Sequence, residues 1–206
     1  MSNRTELRDR LRVELGDEGT IKVWSDALLD DLLVQAGDWY SRLFPAQSTA
    51  YRDVTEGQRA FNVPAGLFSV VQVECPQGRV LPQEASGTVG APAGSAQRQS
   101  WSIWGEKLYL ANPAVGDEVG ASKLVARVLQ PWARLDPDVQ WNGPEDDERL
   151  LVLWSATEAW AWLDGQDQKR GRAGRAWPMA ARSAEQLKSE IKARGQAATS
   201  RRLEVG

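Results

Sequence analysis

The sequence contains no histidine. That absence removes the commonest general base, the Ser-His-Asp and Cys-His arrangements and most zinc sites at once, and so argues against an enzyme and against a metal or other cofactor. Cysteine is nearly absent too: Cys75 stands alone, which excludes an intramolecular disulfide and fits a reducing compartment. No Gly-rich phosphate loop of the usual spacing occurs, because the glycines from Gly87 to Gly94 lack both the Lys-Ser/Thr ending and a strand-to-helix setting. There is no basic-plus-apolar leader and no apolar run of the roughly 18 residues that a membrane span needs, so a soluble, unprocessed chain without membrane contact is expected.

What the chain does have is one segment that must be covered. Residues Arg149 to Leu163 (RLLVLWSATEAWAWL) carry only Ser155, Thr157 and Glu158 as polar interior positions. A helix apolar nearly all round is buried on several sides. Asn142 or Gly143 as cap, Pro144 at the first helical position and the acids Glu145 to Glu148 predict its start. A second strong helix is predicted from Asp26 to Phe44, capped by Ser25 and stapled by Trp24 and Leu29, its apolar face suited to cover the first. A short opening helix, Asn3 to Leu15, has a narrow stripe of Leu7, Leu11 and Leu15 and is expected on a surface or against a neighbour. A last helix is expected from about Met179 to Arg194.

Between these helices the period becomes alternating. Tyr51 to Thr55 and Arg59 to Val63 flank a Glu56-Gly57 turn, and Val71, Val73 and Cys75 alternate with polar residues before a Pro76-Gln77-Gly78 turn. Trp101 to Trp104 and Lys107 to Leu110 read as a hairpin, and Leu124, Ala126 and Val128 as a last strand. The expected class is α+β: a discontinuous helical bundle domain, residues 1–50 with 131–206, interrupted by a small antiparallel β insert, residues 51–130. Inside the insert, residues 84–100 read as a mobile loop. Two elements would leave the central helix under-covered unless the insert or another subunit finishes the job.

Charge and tryptophan point the same way. From Gly165 to Gly206 there are ten Lys and Arg against four Asp and Glu, a surplus of six, which leaves −9 of the net −3 on residues 1–164. A basic arm on an acidic body predicts an acidic partner, nucleic acid or another copy. Residues from about 195 onward are expected to be disordered in the free chain. Ten tryptophans are many for this length. Trp24, Trp39, Trp154 and Trp160 fit the core or its edge. Trp101, Trp104, Trp132, Trp141 and Trp177 fall in the insert and in links, and Trp101, Trp104, Trp132 and Trp141 with Glu158 are the candidate subunit-interface residues.

Taken in order, "WSDALLDDLLVQAGDWYSRLFP" at Trp24 to Pro45, "EGQRAFNVP" at Glu56 to Pro64, "FSVVQVECPQGRVL" at Phe68 to Leu81, "WSIWGEKLYLANPAVGDEV" at Trp101 to Val119 and "GPEDDERLLVLWSATEAWAWL" resemble the head-to-tail adaptor, or head-completion, proteins of tailed bacteriophages. The resemblance implies a structural protein of the virion neck, made in the host cytoplasm. It implies a homo-oligomeric ring, commonly of twelve copies, beneath the portal protein, with a tail or nozzle protein on the opposite face and packaged DNA passing through the middle. The portal-gripping segment would be Ala193 to Gly206, with Arg194, Arg201, Arg202 and Leu203 as contacts, or failing that Arg8, Arg10 and Arg12 on the first helix. Two other readings stay open: a nucleic-acid-binding protein using Lys169 to Arg175 and the C-terminal region, whose binding would weaken steeply with salt, and an enzyme with a carboxylate site.

Overall fold

A computed structural model describes residues 1–63, 65–83, 99–169 and 176–204, without the side chains of Trp177 and 195–204. The expected mobile loop therefore lies almost wholly outside the described residues. The class is α+β, and the chain divides into two compact units, Met1–Phe44 with Trp132–Gly206, and Pro45–Pro131.

The first unit is helical. Helix α1 (Arg4–Leu15) opens with the reciprocal Asn3–Glu6 capping box and closes on Gly16, whose φ of 66° suits the left-handed cap. Helix α2 (Asp26–Leu43) starts where the Ser25 hydroxyl accepts from Leu28 N–H. Pro144 does not open the central helix directly. Glu145–Asp147 form one 3₁₀ turn, and helix α3 runs Glu148–Lys169. Asn142 is not a cap either, since its Oδ1 accepts from the Ala133 N–H. Helix α3 continues about six residues beyond Leu163 because Asp164, Gln166, Gln168 and Lys169 tolerate a helix already nucleated by the apolar run, and Gly165 alone costs only about 1 kcal/mol.

Helix α4 (Trp177–Glu204) overturns the expected disordered end. Residues 195–204 continue the helix, for elongating an existing helix needs no new nucleus and Gln196, Ala197, Ala198, Arg201, Arg202 and Leu203 are mostly good helix formers. Cover for α3 also exceeds the expectation. Leu7 and Leu11 of α1 are wholly buried, and they share one core with Leu29, Leu33, Ala36 and Tyr40 of α2 and Leu151, Ala156 and Ala159 of α3, while Leu187 and Ile191 of α4 pack against it. The narrow stripe of α1 thus faces inward, and three helices rather than two elements contact the central one.

The second unit holds two antiparallel sheets. Strands β1 (Ala46–Val54), β2 (Ala60–Asn62), β3 (Ser69–Glu74), β4 (Val80–Leu81), β5 (Trp101–Trp104), β6 (Lys107–Leu110) and β7 (Gly120–Gln130) order as β1-β7-β3-β4 and β2-β6-β5. The segments flanking Glu56-Gly57 do not pair with each other: β1 pairs with β7 and β2 with β6. The expected Val71-Val73-Cys75 face is corrected by a register shift between Val70 and Gln72, which buries Val70 and leaves Val71 exposed. Val54, Val73, Leu124, Ala126 and Val128 of one sheet and Phe61, Trp101, Leu108 and Leu110 of the other form one core.

Candidate functional site

The described residues offer interaction surfaces and built-in clasps. Among the described residues no group of three metal-type ligands occurs and no helix is long and apolar enough to cross a membrane. A polar depression on one face of the four-stranded sheet is lined by Gln47, Thr49, Tyr51, Gln72, Glu74 and Arg127. Its one carboxylate is engaged: Glu74 accepts from Gly78 N–H at 2.9 Å and Gln72 Nε2 at 3.0 Å and lies 3.6 Å from Arg127. The Cys75 thiol is buried, and burial, reinforced by Glu118, pushes it up to about 11, which keeps it an inert thiol.

The expected portal contact Arg194 instead closes a clasp within its own chain. Its guanidinium pairs with buried Asp147 and lies over the rings of Phe44 at 4.7 Å and Tyr40 at 5.7 Å. Asp147 also accepts the Tyr40 hydroxyl proton. Burial, then that hydrogen bond, raises Tyr40 well above its ordinary value, so the phenol remains a donor. Three elements therefore meet at one carboxylate: α2 through Tyr40, the turn before α3 through Asp147 and α4 through Arg194. Arg194 is the last described side-chain anchor of α4. Beyond it the backbone of α4 carries Arg201, Arg202 and Leu203, whose side chains lie outside the described ones.

The alternative basic cluster on α1 is likewise engaged. Arg8 donates to both oxygens of Asp30 at 3.2 and 3.1 Å, and Arg10 donates to Glu148 at 2.7 Å. Arg12 donates to Asp17 at 2.6 Å and to the Trp24 carbonyl at 3.2 Å, and it pairs with Asp26. Glu148, nearly fully buried, also accepts from the N–H and hydroxyl of Ser2. From the sequence, Asp147 and Glu148 read simply as helix-start charges. The signal that pointed elsewhere was Tyr40 on an apolar helix face, because a buried phenol needs a partner.

The five candidate interface residues separate. Trp101 is 1 % exposed and bonds the Leu81 carbonyl through Nε1 at 3.1 Å; Trp141 is 2 % exposed, edge-on to Tyr40. Both are buried in their own chain and have no surface to offer a neighbour, since each ring filled a local pocket. Trp132 is half-buried, its Nε1 donating to the Phe44 carbonyl at 2.7 Å. Trp104, 73 % exposed, and Glu158, exposed on α3, remain free to meet another molecule. Trp39 and Trp154 stack at 5.9 Å at the core edge, and Trp24 packs edge-on to Trp160 while bonding the Ala159 carbonyl.

A family model described as SU10 adaptor protein matches residues 2–205. No curated protein matches the chain.

Proposed function

The chain belongs to the SU10 adaptor protein family, and from that premise we propose that it is a structural protein of the phage neck, joining head to tail. Identical copies, twelve by the resemblance, form a ring beneath the portal around the DNA channel, and a tail or nozzle protein meets the other face. The observation that carries this reading is the family match over residues 2–205. The end of α4 beyond the Arg194 clasp supports it. In this reading Arg194 changes role, from portal contact to the anchor that aims the segment, and Arg201, Arg202 and Leu203 make the contact.

Truncation after Gly195 tests it, because that cut keeps the clasp and removes only the residues beyond it. The truncated chain is expected to melt like the parent and to lose attachment to portal-bearing heads. Charge reversal at Arg201 and Arg202 should weaken attachment more at low salt than at high. Full attachment of the truncated chain would move the portal contact onto the helical body. Binding to free DNA that falls steeply with salt, without attachment to heads, would favour the nucleic-acid reading instead.

A further inference from the structure

Three helices cover α3, yet one stripe of its C-terminal half faces outward. Trp154, Glu158, Ala161, Trp162 and Gly165 follow the 3–4 spacing of one helix face over three turns. Glu158, Ala161 and Trp162 are exposed, and Trp162 keeps 41 % of its surface open. Trp154 is half-buried and braced by the stacked Trp39 ring. Among the described residues a Cβ placed on Gly165 would meet nothing within 4 Å, so none of them covers that end of the stripe. Glu158 has no ion pair among the described residues. The stripe is thus aromatic and small-residue with one carboxylate, on a helix that buries Leu150, Leu151, Leu153, Ala156 and Ala159.

Helix α4 carries its complement. Ala180 and Ser183 are buried and Leu187 and Ile191 pack on the core, which turns Ala181, Arg182, Glu185, Lys188, Ser189 and Lys192 outward. Lys188 is paired with Glu185 at 2.7 Å, leaving Arg182 and Lys192 without ion pairs among the described residues. Both faces span eleven residue rises, about 16 Å at 1.5 Å per residue. Because α4 buries its other side, one chain can present both surfaces at once.

We infer that the Trp154–Gly165 stripe of α3 receives the outer face of α4 from a second copy of this chain. Glu158 meets the free cation Lys192, Ala161 and Gly165 let the two helices approach closely, and Trp162 covers the small residue Ser189. The chemistry of the occupant is set by charge: the stripe carries the lone carboxylate of Glu158, and the outer face of α4 carries Arg182, Lys188 and Lys192 against Glu185 alone. Such a contact joins unlike surfaces, so it repeats from copy to copy and closes into a ring when the rotation allows. For that ring the inference rests on the adaptor reading.

The test uses the full chain in sedimentation velocity, with Glu158→Lys, Lys192→Glu, their double variant and Ala161→Arg. All three positions are exposed, so melting should match the parent in each. Each single variant should weaken self-association about tenfold or more, because like charges or added bulk then face each other, and the double charge swap should restore it. In parallel, Glu158→Cys mixed with Lys192→Cys under oxidising conditions should give a disulfide-linked pair of copies, with buried Cys75 as a silent bystander. Single variants that associate like the parent, or a monomeric parent with no crosslink, overturn the docking face. If the parent still mounts on portal-bearing heads in that case, the adaptor reading stands and only the face is wrong; if it neither associates nor mounts, both fall.

Discussion

The helical unit and the sheet unit bury cores of similar make-up with different means of choosing neighbours. In the sheet unit the choice is made by ladders: β7 pairs with β1 from Ala46↔Gln130 to Arg52↔Leu124 and with β3 on its other edge. A slip of one residue would turn Leu124, Ala126 and Val128 outward, so register alone is decisive. The helical unit has no such device. Its central helix is apolar on most sides, and apolar faces tolerate many rotations. Polar clasps between residues far apart in sequence hold it instead: Ser2 and Arg10 on Glu148, and Tyr40 and Arg194 on Asp147. The difference teaches where each unit is vulnerable. The sheets should fail through lost volume, the helices through a lost carboxylate.

Asp147→Ala should break that comparison open with the largest effect. It strands a buried phenol and a guanidinium that keeps 31 % of its surface exposed, so the loss is expected at about 3 kcal/mol, the low end for breaking a buried pair. Denaturant unfolding measures it, and hydrogen exchange should show the loss in α2, α3 and α4 while β7 keeps its protection. Asp147→Leu combined with Arg194→Met should recover most of the stability, because removing both partners leaves no stranded charge. Equal deprotection of β7 would mean that the two units unfold as one, and the contrast between them would dissolve.

Legibility followed the same divide. The Ser25 cap was readable because caps act within a few residues, and the β5–β6 hairpin was readable because its Gly105-Glu106 turn is local. The partner of β1 was not, since β1 and β7 are separated by the whole unit and a Glu56-Gly57 turn suggests the nearer strand. The Val70 bulge reverses which valines face inward, and no composition rule marks it. Of the surfaces, Glu158 stood out because a lone acid interrupts an apolar run, whereas Arg194 looked like every other basic residue near the end of the chain. Its role depends on Asp147 and Tyr40, which only the packed helices bring together.

A second way to sharpen the contrast is volume in the helical unit. Gly143 lies against the Trp141 ring, and a Cβ there would fall 2.2 Å from its edge. That ring is buried between Tyr40 and Trp132, with centroids at 5.3 and 6.2 Å, so it has little room to yield. Gly143→Ala should therefore cost about 1–3 kcal/mol, read as a lower denaturation midpoint with an unchanged slope. An unaffected midpoint would show that the link from Trp132 to Gly143 can shift as a whole, and that volume is less tightly policed here than in the sheets.

The smallest expected effect concerns acid. The hydrogen bond from Arg12 holds the Asp26 carboxyl below its ordinary value of 3.8; desolvation opposes it, and the charges of Arg8, Arg12 and Lys22 add smaller lowering effects. A carboxyl lowered on folding stabilises the folded chain above its unfolded value, and that contribution fades as pH falls through the lowered one. The helical unit should accordingly lose melting temperature below about pH 4, more than Asp26→Asn does over the same range, because the amide has no proton to take up. Asp26 keeps 54 % of its side chain exposed, so solvent screens the interaction and the difference between parent and variant should be slight. Salt gives the decisive control. Raising it should shrink the pH-dependent difference if the exposed Arg12–Asp26 contact is its source. A parent–variant difference that persists in high salt would mean that the Arg12–Asp26 contact is shielded from solvent despite the exposure of the Asp26 side chain, contrary to the screening argument.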